Sequence, residues 1–319
     1  PALLLHKLRA VPYLTAWKET MIRYRAFTAV GVDKGETSDC VFKMCKEMAL
    51  KNKLFEVINN NFRKYGNSSG ETHFGFQTVK ESEKTEKVHS VFETVANKYD
   101  IMNDAMSLGI HRIWKDIFIQ RLGPTSDTKL LDMAGGTGDI AFRFMNYLQL
   151  ESIKTASVTV CDINEAMLKI GRTRAERLGY FDPQIDWLHA DAESLPIKDS
   201  TYTAYTIAFG IRNVTHIDKV LEEAYRVLKP GGRFLCLEFS QLNNSTLQWL
   251  YDQYSFQVIP VMGQLFAGQW KPYQYLVESI RQFPSQEEFK SMIEAAGFTH
   301  VEYENLTFGI VAIHSGFKL

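Results

Sequence analysis

At 319 residues the chain is long enough for one large α/β domain with appendages or for two small domains. Hydrophobic residues at 45%, charged residues at 23% and a net charge of −1 are ordinary globular values, and they leave no overall basic field for nucleic acid. Four cysteines (Cys40, Cys45, Cys161, Cys236) without a CxxC pair disfavour a structural zinc site or disulfide framework, and no uninterrupted apolar run reaches membrane-spanning length.

Residues 1–30 carry Lys7, Arg9, Lys18, Arg23 and Arg25 against the single acid Glu19, with Leu3–Leu5, Leu8, Leu14, Trp17 and Phe27 interleaved. A basic, acid-poor, amphipathic stretch reads as a mitochondrial transit segment; its low serine content leaves an ordinary surface helix as the alternative. Because the chain starts at Pro1 rather than Met, its native start is expected upstream. Residues 31–84 form an N-terminal extension in which Val41–Ile58 can make one helix before Asn59-Asn60-Asn61 and Gly66–Gly70 interrupt it. No pattern there points to chemistry. The compact domain is expected to start near residue 85, after the charged run Lys80–Lys87.

Helical periodicity in Val88–Tyr99 and Ile110–Leu122 precedes a first strand at Lys129–Ala134. That strand runs into Gly135-Gly136-Thr137-Gly138, and a helix-like run, Ile140–Leu148, follows at once. A strand, a tight turn and a helix N-terminus in this order let backbone N–H groups approach a ligand closely, although a tight turn alone would look the same. The next apolar run, Ser157–Cys161, ends at Asp162, where a carboxylate can take both hydroxyls of a ribose. The glycine spacing is not GxGxxG. A ligand with one nucleoside and no pyrophosphate, such as S-adenosyl-L-methionine, therefore fits better than a dinucleotide.

Strand and helix patterns then alternate: strand 157–163, helix 164–178, strands 185–191 and 201–209, helix 216–228, strand 233–239. This alternation implies a doubly wound, mostly parallel sheet. After a helix at Glu288–Ala296, Val301–Phe308 and Ile310–Phe317 alternate around Gly309 as an antiparallel C-terminal hairpin. Ligands of such sheets sit beyond the carboxyl ends of the strands, near the point where strand order reverses. The expected crevice thus receives Gly135–Thr137, Asp162, Asp191 from the third strand and Arg212-Asn213 from the fourth. Asp191 can accept from an adenine amino group or serve as the helix N-cap for Glu193 onward.

Two further segments are more specific. Tyr99-Asp-Ile-Met-Asn-Asp-Ala-Met-Ser-Leu-Gly-Ile-His-Arg-Ile-Trp114 resembles the first signature of the ubiquinone/menaquinone biosynthesis C-methyltransferases, and Arg226–Ser240 resembles their second. In the latter, Leu228-Lys-Pro-Gly-Gly232 is common to many class I methyltransferases, and Glu238-Phe-Ser240 is the specific part. The likeness covers about residues 72–319. It implies a Rossmann-like class I methyltransferase fold, with S-adenosyl-L-methionine as cofactor and Thr137, Asp162, Asp191 and Ala192 matching the family's cofactor contacts, beside Gly135 and Gly138 of the turn. Ala208 departs from the pattern, since bacterial members have a serine there. The C-terminal Ile313–Leu319 and the transit-like N-terminus favour the mitochondrial branch, which serves ubiquinone.

The implied reaction moves a methyl from a sulfonium to a ring carbon of a polyprenylated methoxy-benzoquinol. The enzyme must align the two and make the carbon nucleophilic, which calls for a proton acceptor and a group that stabilises a phenolate. Arg212 suits the second role, or a salt bridge at the sheet end; Asn213 can hold a water or the other ring oxygen. His111 is the titratable candidate for the base, or a structural histidine of helix 110–122, and Tyr99 can bond the ring or pack beside Trp114. Residues 239–285, rich in aromatics, read as a cover that gives the prenyl tail an apolar path, or as core packing or a dimer interface. The resemblance further implies peripheral contact with the matrix side of the inner membrane and membership of a coenzyme Q biosynthetic complex. A non-catalytic scaffold, a methyltransferase on another lipid such as a sterol, and a nicotinamide oxidoreductase are the competing readings.

Overall fold

The computed structural model describes residues 70–95, 103–104, 106–242 and 244–319, which fall within one compact unit, Asn67–Leu319. The transit-like segment 1–30, the Val41–Ile58 helix and Tyr99 lie outside the described residues. The described chain opens with a hairpin, β1 (Glu71–Phe74) and β2 (Gln77–Lys80), reversed at Gly75, whose φ of 59° is left-handed. It continues into α1 (Glu81–Val95), so ordered structure reaches upstream of residue 85. Tertiary contact explains why the hairpin forms: Phe74 stacks on Tyr275 at 4.3 Å, and the Phe76 N–H donates to Glu278 Oε2 at 3.0 Å.

The alternating core follows: α2 (Ile110–Leu122), β3 (Lys129–Met133), α3 (Asp139–Leu150), β4 (Ser157–Asp162), α4 (Glu165–Leu178), β5 (Ile185–His189), β6 (Tyr202–Ala208), α5 (Ile217–Val227) and β7 (Leu228–Phe239). Next come the helices α6 (Ser245–Gln257), α7 (Ile259–Met262), α8 (Lys271–Gln282) and α9 (Gln286–Ala295), and the strands β8 (Thr299–Leu306) and β9 (Val311–Phe317). The seven-stranded sheet has the order β5-β4-β3-β6-β7-β9-β8. It is parallel from β5 to β7 and antiparallel where β9 joins β7 and β8, the expected class I methyltransferase architecture. β7 begins at Leu228 rather than 233, because Tyr202 already pairs with Leu228 before the chain turns through Gly231.

Side chains alternate across the strands, so each buried strand feeds two cores. Leu130, Val158, Val160 and Leu235 face Phe118, Phe144 and Leu168 from α2, α3 and α4. Leu131, Met133, Tyr205, Ile207 and Phe234 face Val220, Leu221, Phe289 and Ile293 from α5 and α9. With both faces filled, the free boundary of the sheet is the carboxyl ends of its strands. Strand order reverses there, since β4 and β6 flank β3. The helices α6, α7 and α8 lie over that boundary, where Ile259, Tyr273 and Val277 form a small core of their own with Met106 and Tyr254. Among the described residues, no helix is long and apolar enough to cross a membrane, and no side-chain cluster could hold a metal ion.

Candidate active site

A cavity of about 420 Å³ lies between the strand ends and this helical cover. Its floor is the turn after β3. Ala134, Gly136 and Gly138 all have positive φ (51°, 55° and 85°), and a Cβ on Gly135 would lie 2.6 Å from Val160 Cγ1. Gly135 thus has no room for a side chain, and Gly136 and Gly138 sit where a side chain would strain the backbone. Gly135, Gly136 and Thr137 line the cavity, whereas Gly138 starts α3, packed against Trp187 and Phe142.

Asp162, at the tip of β4, holds this floor in place. Its Oδ2 accepts from the Gly136 N–H and its Oδ1 from the Asn164 N–H, both at 2.8 Å. Burial pushes the Asp162 carboxyl above its ordinary pKa, and the backbone donors of Asn164 and Gly136 oppose the shift. Asp132, wholly buried behind the turn, is pushed up to about 7, first by burial and also by the charges of Asp139 and Asp162. Its Oδ1 accepts from Thr206 Oγ1 at 2.9 Å, while its Oδ2 has no partner. Asp191 and Ala192 reach the same cavity from the end of β5; Asp191 Oδ1 accepts from the Glu193 N–H at 2.9 Å within a turn closed by the Ser194 N–H on the Asp191 carbonyl, and no helix follows for Asp191 to cap.

The opposite wall is assembled from distant segments. Arg212 sits in a single 3-10 turn, Ile211–Asn213, after β6, and its Nη1 donates to the Phe209 carbonyl at 2.6 Å and to Glu238 Oε1 at 2.8 Å. This pair is almost completely shielded, with side-chain exposures of 4% and 1%. The guanidinium also lies over the Phe239 ring at 5.6 Å. Burial raises the Glu238 pKa against the pull of Arg212, and both Glu238 Oε2 and Arg212 Nε are buried without partners. Asn213 Oδ1 accepts from the Tyr275 hydroxyl at 3.1 Å. His111 projects from the first turn of α2, with its Nε2 2.8 Å from Asp104 Oδ1. Burial lowers its pKa, with Asp104 acting in the opposite direction.

The structure therefore brings Gly135, Thr137, Asp162, Asp191, Ala192, Arg212, Asn213 and His111 to one cavity. Two partners had no expected role. Glu238 is marked only by its place in the specific part of the second signature and as an acid inside the apolar run Phe234–Phe239, and Asp104 only as an acid within the first signature. The cover contributes Tyr251, Tyr254, Tyr273, Tyr275, Leu276 and Ile280 to the lining. Tyr254 donates to the Met106 carbonyl at 2.8 Å, tying the cover to the segment ahead of α2.

The half of the cavity near β3 and β4 fits S-adenosylmethionine on its chemistry. It offers carboxylates for ribose hydroxyls, an acidic surrounding for a sulfonium and an ammonium, a backbone approach that a Cβ would close, and the unpartnered buried amide Nδ2 of Asn164.

The model of the ubiE/COQ5 methyltransferase family matches residues 78–318. The mitochondrial 2-methoxy-6-polyprenyl-1,4-benzoquinol methylase of Drosophila melanogaster is 68% identical over 256 residues, covering 78% of this chain and 85% of the relative. The human protein of the same name is 59% identical over 280 residues, covering 79% of this chain and 85% of the relative. Among solved structures, a chain of the complex between the Haloferax volcanii Trm112 methyltransferase activator and its methyltransferase superposes with a TM-score of 0.51. At 15% identity, covering 72% of this chain and 97% of that one, it speaks to the fold alone.

Proposed function

The chain belongs to the ubiE/COQ5 methyltransferase family, and from that premise we propose that it C-methylates the ring of a polyprenylated 2-methoxy-1,4-benzoquinol in ubiquinone biosynthesis. S-adenosyl-L-methionine is the methyl donor. The observation that carries this reading is one cavity with two chemically different ends beneath an aromatic cover. One end is glycine-floored and acidic, with Gly135, Thr137, Asp162, Asp191 and Ala192 toward the nucleoside and Gly138 shaping the turn. The other holds Arg212, Asn213 and His111, with Tyr99 as a further candidate from the first signature.

When bound, the cofactor supplies an electrophilic methyl on a sulfonium that is already an excellent leaving group. What the chain adds is alignment and activation of the acceptor carbon. The Arg212 guanidinium, fixed by Glu238 and the Phe209 carbonyl, stabilises the negative charge that grows on a ring oxygen. An arginine stays protonated in proteins, so Arg212 acts as a cation and not as the base. Asn213, oriented by Tyr275, holds the second ring oxygen or a water. The tyrosine-lined space under α6, α7 and α8 takes the start of the prenyl tail and keeps water from the reacting atoms.

Such a substrate resides in a bilayer, so the protein works as a peripheral protein on the matrix side of the inner mitochondrial membrane. The relatives are named mitochondrial, residues 1–30 have a transit-like composition, and Trp249, Leu250 and Leu265 of the cover are exposed. The same apolar face serves contact with a second copy or with a coenzyme Q biosynthetic complex.

The test is turnover. Incubation with S-adenosylmethionine and a short-tailed 2-methoxy-6-prenyl-1,4-benzoquinol should yield the product heavier by one methylene, with carbon-bound methyl protons by NMR. Calorimetric binding of S-adenosylmethionine without any turnover would favour the scaffold reading; turnover on a sterol alone, or binding of NADH instead, would replace the assignment.

A further inference from the structure

The proposed reaction needs a group that takes the hydroxyl proton of the quinol, and the other carboxylates of the cavity are paired with other groups or lie at the cofactor end. Asp139 pairs with Lys115 at 2.6 Å. Glu193 accepts the Thr215 and His216 N–H groups and contacts His216 Nδ1. Asp162 and Asp191 bind backbone at the cofactor end, and Asp132 lies behind the glycine turn. Among the described lining residues, His111 is the one imidazole.

The surroundings of His111 fix its ring. Ahead of α2 the chain reverses through Leu108 and Gly109, both left-handed, and the Gly109 N–H donates to the Asp104 carbonyl at 2.9 Å. This turn places the Asp104 carboxylate over the start of the helix. There Arg112 donates to Oδ1 from Nε at 2.7 Å and to Oδ2 from Nη2 at 2.6 Å. Such a two-pronged contact holds the carboxylate plane in one orientation. Asp104 is an acceptor only, since hydrogen bonds from Arg112 and His111 keep its carboxyl well below the usual range. His111 Nε2, 2.8 Å from Oδ1, must therefore carry the ring proton in the neutral imidazole. The lone pair is left on Nδ1, which is buried without a partner although the residue lines the cavity. A buried, unpartnered acceptor on an otherwise anchored side chain calls for a donor from a ligand.

We infer that His111 Nδ1 is the general base of methyl transfer and that Asp104, clamped by Arg112, is the positioning residue that fixes its tautomer. This rests on the quinol reading above. The ring hydroxyl gives its proton to Nδ1, and the adjacent ring carbon takes the methyl as the sulfur–carbon bonding pair returns to sulfur. The methylated carbon then sheds its hydrogen as a proton to water, and the imidazolium returns its proton to the ring oxygen. The sum is methylated quinol, S-adenosylhomocysteine and one released proton.

The charged groups facing His111 are Asp104 from the preceding turn, Lys115 from its own helix and Asp139 from α3. Burial and Lys115 lower its basicity and the two acids raise it, with a net shift below the ordinary imidazole value. The base is active when neutral, so activity should fall as pH drops through that lowered pKa. His111→Gln should lower kcat by roughly 10²-fold or more and abolish this acidic limb, while S-adenosylmethionine affinity and melting temperature stay near wild type. Asp104→Asn removes the charge that supports the imidazolium. Its acidic limb should move to lower pH, with kcat down about tenfold and KM nearly unchanged. In the wild-type protein without ligands, two-bond proton–nitrogen NMR spectra should find neutral His111 protonated at Nε2, a preference lost in Asp104→Asn. An unchanged acidic limb in His111→Gln, or a proton on Nδ1 in the wild type, overturns the inference while leaving the methyltransferase reading in place. If the wild-type protein binds S-adenosylmethionine but never methylates the quinol, both readings fall. Should His111→Gln not fold, the Asp104→Asn profile and the wild-type tautomer decide alone.

Discussion

The two ends of the cavity are built in opposite ways. At the cofactor end, Gly136 and Asp162 meet across 26 residues, one βαβ unit, and Asp132 and Asp162 are held by hydroxyl and backbone N–H donors while burial pushes both carboxyls above their ordinary pKa. At the quinol end, Trp114 reaches Thr307 across 193 residues and Tyr254 reaches Met106 across 148. There the buried acid Glu238 is matched by Arg212. On the proposed reading, the carboxyl-rich end takes a cationic cofactor, whereas the Arg212 end stabilises an anion that exists only during reaction. On that reading the same burial serves binding at one end and catalysis at the other.

The sharpest way to break this contrast is to unpair the quinol end. Glu238→Ala would leave the Arg212 guanidinium buried and uncompensated, and denaturant melts should show a loss of about 3–5 kcal/mol. A loss below ~1 kcal/mol would mean that water reaches Arg212 and that the two ends do not differ in burial of charge.

The cofactor end should instead reveal itself through pH. The Asp132 carboxyl, at about 7 in the fold against 3.8 as its ordinary value, keeps a proton that the unfolded chain releases. Its contribution to stability is therefore full below about pH 4 and is lost as pH rises toward 7, on the order of 4 kcal/mol at most at about 1.4 kcal/mol per unit. Asp132→Asn should flatten the stability profile between those limits; an equally steep profile in the variant would place the titration elsewhere.

Catalysis separates the ends next. Arg212→Lys keeps the charge but not the fork of donors, so turnover should fall roughly 10²-fold with kcat and kcat/KM dropping together, and cofactor affinity should hold. Wild-type turnover in Arg212→Lys would remove the reacting ring from the end of β6. The smallest expected effect is at the other end, where Asp162→Ala should weaken S-adenosylmethionine about tenfold in calorimetry, the loss of one charge-assisted hydrogen bond worth about 1.5 kcal/mol. Unchanged affinity would detach the cofactor from β4.

How much of this was legible in the chain follows the same division. The strand, turn and helix of residues 129–150 could be read directly, because strand length, glycine placement and helical periodicity act over a few residues. The parallel sheet and its antiparallel C-terminal strands followed from alternation alone, and Asp162 from its place one βαβ unit downstream. The hairpin at residues 71–80 was not readable. It is short, and what stabilises it is the contact of Phe74 with Tyr275 and of Phe76 with Glu278, some two hundred residues away. Arg212 and His111 could be named as candidates, but not their partners Glu238 and Asp104, nor which His111 nitrogen lacks a partner. Local sequence determined the elements, their order and the cofactor turn, since those depend on backbone preference and side-chain period. The tertiary structure alone decided which charges pair, which acids keep their protons and which acceptor waits for a donor, because those depend on packing between segments that no local pattern encodes.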